Sequence, residues 1–253
     1  QNGKTMSEKH YFEQRQFTEA YLLPYFNRHI KNLELRDVLE VGCAEGGFLD
    51  VLAKKGIRVA GVELSPERVK IAKEKNPELD IVVGDITDPS IVTRLGKKFD
   101  LVVLRDVIEH IPDRRAAWEN ISALLKPGGF LFVSFPPRLS GFAGHQQMGR
   151  SLLRYVPFLH LLPAFFIRAL GRVFKEHQHI IDNAILNYRI GLTIRAFEKH
   201  YRHHGFLPVQ KDLFLFRPIY QIRFRLTPRK FPNIPLLREV MAFGCEILLK
   251  RRT

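Results

Sequence analysis

The chain has 253 residues, 45% of them hydrophobic and 26% charged, which places it among ordinary globular proteins able to bury one full-sized core. Its two cysteines, Cys43 and Cys245, stand far apart and outside any paired-cysteine pattern, which excludes a disulfide framework or a zinc knuckle and fits a reducing interior. The net charge of +14 is uneven: residues 1–137 hold 20 basic and 20 acidic residues, residues 138–253 hold 20 and 6, and a field of one sign favours an anionic neighbour.

In chain order, Gln1 to His10 is polar with no apolar signal core, so no secretory peptide is expected. Tyr11 to Phe26 spaces aromatics and leucines as an amphipathic helix, suited to packing on a sheet edge or to closing over a ligand. From Val38 to Pro136 short apolar runs alternate with amphipathic stretches, the pattern of βαβ units in a parallel sheet. Val38–Val41, Val59–Glu63, Ile81–Val83, Leu101–Leu104 and Phe130–Phe135 are predicted strands. Phe48–Lys55, Pro66–Lys75 and Arg114–Leu125 are predicted helices, the second capped by Ser65 with Pro66 in its first turn, and the third stopped by Lys126-Pro127-Gly128-Gly129.

After Pro137 the rhythm breaks. Ser151 to Phe174 is strongly apolar, but its longest charge-free run, Tyr155–Ile167, is 13 residues and is divided by prolines 157 and 163, against the roughly 20 needed to cross a bilayer. The segment reads as a helical cap over the core, a greasy substrate or a membrane surface. A helix over Thr193–His204 follows, then two extended stretches, FLPVQKDLFLF and IYQIRFRL, expected to pair as an antiparallel hairpin around Arg217-Pro218. Leu236–Leu249 is predicted helical, ahead of Lys250-Arg251-Arg252.

The motif VLEVGCAEGGFL, residues 38–49, joins a buried strand to a turn of small residues. In open α/β sheets ligands bind beyond the carboxyl ends of the strands, where such turns let a backbone approach closely. Glu63 ends the second strand 21 residues after Gly42, where an acid accepts hydrogen bonds from ribose hydroxyls. The site is therefore shaped for a nucleoside. Gly42-x-Ala44-x-x-Gly47 alone is also a degenerate dinucleotide fingerprint. Glu40 inside the first strand suits a ligand bearing a cation better than a pyrophosphate, and Asp85 follows the third strand, placed to meet an adenine edge.

Together VLEVGCAEGGFL, VAGVELSPERV, VVGDI, FDLVVLRDVIEHIPD and LLKPGGFLFVSFP resemble, in order and spacing, the class I S-adenosylmethionine-dependent methyltransferases, and among them those related to the ubiquinone-biosynthesis O-methyltransferases. The resemblance is close over residues 10–137 and looser over 193–226. It implies an α/β fold: a Rossmann-like, seven-stranded, mostly parallel sheet with an antiparallel terminal hairpin and a helical cap inserted after strand 5. The implied organisation is a single domain over 1–253: cofactor-binding core 10–137, cap 138–192, final helix and hairpin 193–226, and basic tail 227–253. It further implies S-adenosylmethionine as cofactor. Glu40, Gly42, Cys43, Ala44 and Gly46 would surround its methionine part, Glu63 and Leu64 the ribose, and Asp85 and Ile86 the adenine, with Arg105 lining the pocket through its backbone and Asp106 beside it. Ala44 departs from the family's middle glycine.

Methyl transfer asks the protein chiefly to align and desolvate, with a base needed only for a hydroxyl or protonated amine. The candidate catalytic bases are His110, after the fourth strand, and His145, in GFAGHQQ where the cap begins; a structural role for His110 is the alternative. Asp106, Glu109 and His110 at i, i+3 and i+4 resemble, with a shorter first acid, a metal group of some hydroxyl methyltransferases, but no metal is expected. The implied function is methylation, at oxygen or carbon, of a hydrophobic small molecule, in the cytoplasm and at the periphery of an anionic membrane. An RNA-modifying enzyme using the basic half, and a silent nucleoside-binding protein, are the alternatives; nucleic acid is not the expected partner.

Overall fold

The computed structural model describes residues 6–30, 35–144 and 146–252. The apolar runs become strands β1 (Asp37–Val41), β2 (Arg58–Glu63), β3 (Asp80–Val83), β4 (Phe99–Arg105) and β5 (Leu125–Phe135). Helices α3 (Gly47–Ala53), α4 (Pro66–Lys75), α5 (Ser90–Leu95) and α6 (Arg114–Leu124) connect them, so successive strands run parallel. Ser65 caps α4, its hydroxyl accepting from the Arg68 N–H at 3.3 Å, and Pro66 follows in the first turn.

Ahead of the sheet, α1 (Met6–Phe17) and α2 (Leu23–His29) are joined by a π turn at Thr18–Leu22. The Thr18 hydroxyl donates back to the Gln14 carbonyl at 2.7 Å. After β5 come short 3₁₀ turns, then the cap helices α7 (Ala164–Val173) and α8 (Gln178–Ile190), followed by α9 (Ile194–His203) with Thr193 as its cap. The chain closes with β6 (Phe206–Phe216), α10 (Ile219–Phe224), the two-residue edge strand β7 (Arg229–Lys230), α11 (Leu237–Met241) and β8 (Gly244–Arg251).

Eight strands form one sheet in the order β3-β2-β1-β4-β5-β8-β6-β7, one more than expected. The antiparallel element is β8, inserted between β5 and β6 and antiparallel to both. Two expectations about the tail are therefore corrected. Residues 219–226 are not the second strand of a hairpin. Pro218 sets a helical φ of −55°, Ile219 and Tyr220 bury on the α1–α2 side, and Arg225 stops the turn with a φ of +57°. Residues 236–249 are not one helix. Strand β8 is covered on both faces, so its run Ile247-Leu248-Leu249 lacks the alternation that marks a strand.

Two cores sandwich the sheet. One gathers Leu39, Val102, Leu131 and Ile247 against α5, α6 and α9 around Trp118 and Phe197. The other gathers Val38, Val103, Phe132 and Leu248 against α1–α4 and α10. A small third cluster, Ile167, Ile181, Ala184 and Ile185, binds α7 to α8. Among the described residues no helix is long and apolar enough to cross a membrane.

Candidate active site

Alternation along the strands places Glu40, Arg105, Ser134 and Glu246 on the α1–α2 face of the sheet, near the carboxyl ends of its parallel strands. Arg105 pairs with Ser134 across β4 and β5, and Ser134 with Glu246 across β5 and β8, so the three form one row. Above this row lies a cavity of about 660 Å³, within the usual size of ligand sites. Its walls include Gly42, Ala44, Glu63, Leu64, Asp85 and Ile86 at one end. Arg105, Asp106 and His110 line it too, so nine sequence-predicted site residues meet there.

The turn after β1 is built for close approach. Gly42 has φ +70°, and a Cβ on it would stand 2.4 Å from Val107 Cγ2. Ala44 holds φ +50°, a conformation that costs an L-residue with a side chain of the order of 1 kcal/mol. Its N–H donates to Glu63 Oε2 at 2.8 Å while the Ser65 N–H donates to Glu63 Oε1 at 3.0 Å, fixing that carboxylate at the rim. Asp85 is exposed and accepts from the Thr87 N–H at 2.8 Å; Ile86 is buried behind it.

Three expected residues stand behind the lining. Cys43 is fully buried and faces β2, where a Cβ on Gly61 would meet its Sγ at 2.7 Å. Gly46, at φ +74°, caps α3 against Leu79 and Ala72. Glu40 is fully buried, and its Oε1 accepts from Arg105 Nε at 2.9 Å and Nη2 at 2.5 Å. Arg105, expected to line the pocket through its backbone, engages Glu40 through its side chain. Burial raises the Glu40 carboxyl to about 7, against the opposing pull of Arg105.

His110 lines the cavity from the 3₁₀ turn Ile108–His110, and burial lowers its imidazole below the ordinary value, favouring the neutral form that accepts a proton. His145 lies outside the described residues. Asp106, Glu109 and His110 do not share one helical face: Asp106 sits before the turn at φ +54°, its Oδ1 accepting from Arg217 Nη2 at 2.5 Å. Among the described residues no group of three His, Cys, Asp or Glu could hold a metal ion.

The remaining walls come from residues that the sequence motifs did not single out. Gln14 of α1 is buried, its Oε1 accepting from the Gly47 N–H at 2.9 Å, and Glu13 and Phe17 of the same helix line the cavity. The cap contributes Met148 and, from one stripe of α8, His179, Asn183 and Leu186. Glu246 and Arg217 line it as well. Glu246 is buried, accepts from the Tyr21 hydroxyl at 2.7 Å, and is raised to about 7 by burial. A single glutamate inside the apolar run Ala242–Leu249 was the available signal for it.

The profile of a methyltransferase domain matches residues 11–180. The ubiquinone biosynthesis O-methyltransferase of Coxiella burnetii (strain Dugway 5J108-111) is 34% identical over 113 residues, covering 44% of this chain and 48% of that protein. The chain thus spans about half the length of the curated relatives it matches. A S-adenosylmethionine-dependent methyltransferase from Clostridium acetobutylicum superposes with a TM-score of 0.57 at 15% identity, over 96% of this chain and 92% of that one. Magnesium protoporphyrin IX methyltransferase from Synechocystis PCC 6803, solved with bound SAH, superposes with a TM-score of 0.53 at 16% identity, over 99% and 89%. At these identities the structures speak for the fold.

Proposed function

This chain belongs to the methyltransferase-domain family that its residues 11–180 match, and we propose that it transfers a methyl group from S-adenosylmethionine to a hydroxyl of a hydrophobic small molecule. The observation that carries the reading is the meeting of two kinds of wall in one cavity. At the first, Glu63 is held by two N–H groups beside the Gly42–Ala44 turn, leaving its oxygens able to accept further hydrogen bonds from a ribose. Behind that wall Glu40 is buried and holds the guanidinium of Arg105, which does line the cavity. These residues fit the cofactor, which when bound supplies a methyl group on a sulfonium whose departure leaves a neutral thioether.

At the second, Phe17, Ile180 and Leu186 offer apolar surface, while His110 and Glu246 offer proton acceptors. A hydroxyl placed between the walls loses its proton to one of these two groups as its oxygen takes the methyl. Helix α1 and the cap wall the same space, and an acceptor bound there would displace water from it, strengthening each electrostatic contact inside.

The outer face of the cap extends the reading to an anionic membrane surface. Leu152, Tyr155, Phe165 and Val173 are 68%, 68%, 63% and 75% exposed, and Arg154, Arg168 and Arg172 are interspersed among them. Apolar side chains rimmed by cations match a lipid surface with anionic headgroups. The test of the whole proposal is transfer of labelled methyl from S-adenosylmethionine to a catechol bearing an isoprenoid tail, compared with the same catechol without the tail. Tail-dependent labelling is expected; no labelling of either compound would remove the acceptor assignment.

A further inference from the structure

Arg217, between β6 and α10, is 6% exposed yet lines the cavity. Its stem lies on Gly244 of β8, where a Cβ would stand 2.5 Å from Arg217 Cγ. Glu246 is two residues farther along the same strand, so its side chain rises from the same face, next to the arginine. Arg217 Nη2 donates to Asp106 Oδ1 at 2.5 Å, and Tyr220 is buried close to the guanidinium. Among the described residues Nη1 makes no hydrogen bond, and unlike the enclosed Nε it keeps open surface, which faces the cavity. Glu246 is arranged in the same way. Its Oε2 accepts from the Tyr21 hydroxyl at 2.7 Å, while Oε1 has no partner among the described residues and is not enclosed. A two-hydrogen donor and a carboxylate oxygen therefore open into one cavity from neighbouring side chains.

We propose that Arg217 and Glu246 are the catalytic pair at the acceptor: Glu246 Oε1 takes the proton of a phenolic or enolic hydroxyl, and Arg217 Nη1 holds the oxygen anion that remains. The assignment rests on the hydroxyl reading above and chooses between its two bases. Charge decides the choice. A proton taken by His110 would place an imidazolium in the same cavity as the sulfonium, and burial already disfavours that cation. A proton taken by Glu246 leaves the total charge as it was: the carboxylate becomes neutral, and the negative charge moves to an oxygen that Arg217 faces. That oxygen forms its bond to the methyl carbon as the carbon–sulfur bond breaks, the electron pair stays on sulfur, and Glu246 returns the proton to water. The pair also sets the acidity of the acceptor. The Glu246 carboxyl at about 7 lies about three pH units below an ordinary phenol, near 10, a gap that a guanidinium contact narrows. An aliphatic hydroxyl, closer in acidity to water at about 15.7, lies beyond its reach.

The experiment measures labelled-methyl transfer to two probes at about pH 8.5: 2-heptyl-4-nitrophenol, ionised in water at that pH, and 2-heptyl-4-methylphenol, which is not. Glu246→Gln is expected to lose about 100-fold or more in kcat on the methylphenol and to stay within about fivefold of wild type on the nitrophenol, which arrives without its proton. Arg217→Met is expected to raise KM for the nitrophenol by about tenfold or more and to slow the methylphenol as well, with Arg217→Lys recovering part of both. Equal losses on the two probes in Glu246→Gln would make that residue merely structural and overturn the base. An unchanged KM for the nitrophenol in Arg217→Met would overturn the contact with the anion. If Arg217→Met does not fold, absorbance of the nitrophenol bound to wild type with S-adenosylhomocysteine decides. A phenolate band is expected at about pH 6, below the ionisation of the compound in water, and the band of the neutral phenol would overturn the contact. Wild type that binds S-adenosylhomocysteine yet labels neither probe overturns the pair together with the hydroxyl reading, whereas wild type that does not bind it overturns the donor reading itself.

Discussion

Replacing Glu246 with glutamine is expected to stabilise the protein above neutrality while weakening its chemistry. The carboxyl is buried beneath Tyr21 and faces Tyr25, Arg217, Asp106 and Asp212; burial dominates and raises it from 4.5 to about 7. That rise corresponds to about 3 kcal/mol of folding free energy at about 1.4 kcal/mol per pH unit. Its sign follows from proton linkage. Below about pH 4.5 both folded and unfolded chains hold the proton and the cost is absent. Between about 4.5 and 7 the unfolded chain releases it first, so stability falls as pH rises, and above 7 the loss is complete. Glutamine keeps an acceptor for the Tyr21 hydroxyl and carries no such dependence. Urea denaturation at pH 5 and pH 8 should therefore find Glu246→Gln close to wild type at pH 5 and more stable by up to about 3 kcal/mol at pH 8. Methyl transfer in the variant should lose the limb that rises through neutrality in wild type. A variant equally destabilised at both pH values would refute the reasoning, because the carboxylate would then be paid for by its partners rather than strained by burial.

Ala44→Gly should relieve the φ of +50° and raise the melting temperature by about 2–4 °C in calorimetry; an unchanged or lower value would mean that the turn is not strained. Gly42→Ala should act oppositely, since its Cβ would stand 2.4 Å from Val107 at a φ of +70°, and should cost about 2–4 kcal/mol in denaturation while abolishing nucleoside binding. Glu63→Gln replaces one of two acceptors held by N–H groups with an NH₂ donor, and calorimetry with S-adenosylhomocysteine should show a loss of about 1–3 kcal/mol. Reversing Arg154, Arg168 and Arg172 to glutamate should abolish co-sedimentation with anionic vesicles; equal binding of wild type to neutral and anionic vesicles would remove the basis of the membrane assignment.

The first half of the fold was legible because each of its signals is local. Ser65 and Pro66 start α4, Lys126-Pro127-Gly128-Gly129 follows the end of α6, and the run from Val38 to Val41 meets the Gly42 turn within one strand. The final third obeys non-local constraints. Whether Ile219 and Tyr220 extend or coil depends on Pro218 and on burial against α1 and α2, which lie two hundred residues away in the chain. No window of sequence contains that information.

The site divides along the same line. Gly42, Glu63 and Asp85 announce themselves at strand ends, whereas the rest of the lining is assembled from elements such as α1, α8, α10 and β8, which share no motif. Glu246 shows why composition still carries a trace of it. An acid in the middle of a strand covered on both faces is costly unless something at the site uses it, and here it is aligned by register with Ser134 and Arg105 beneath one cavity. Arg105 carries the same lesson in reverse: a charged residue that ends a buried strand is balanced by Glu40 of the neighbouring strand, a partner that lies 65 residues away in the chain and that no local window contains.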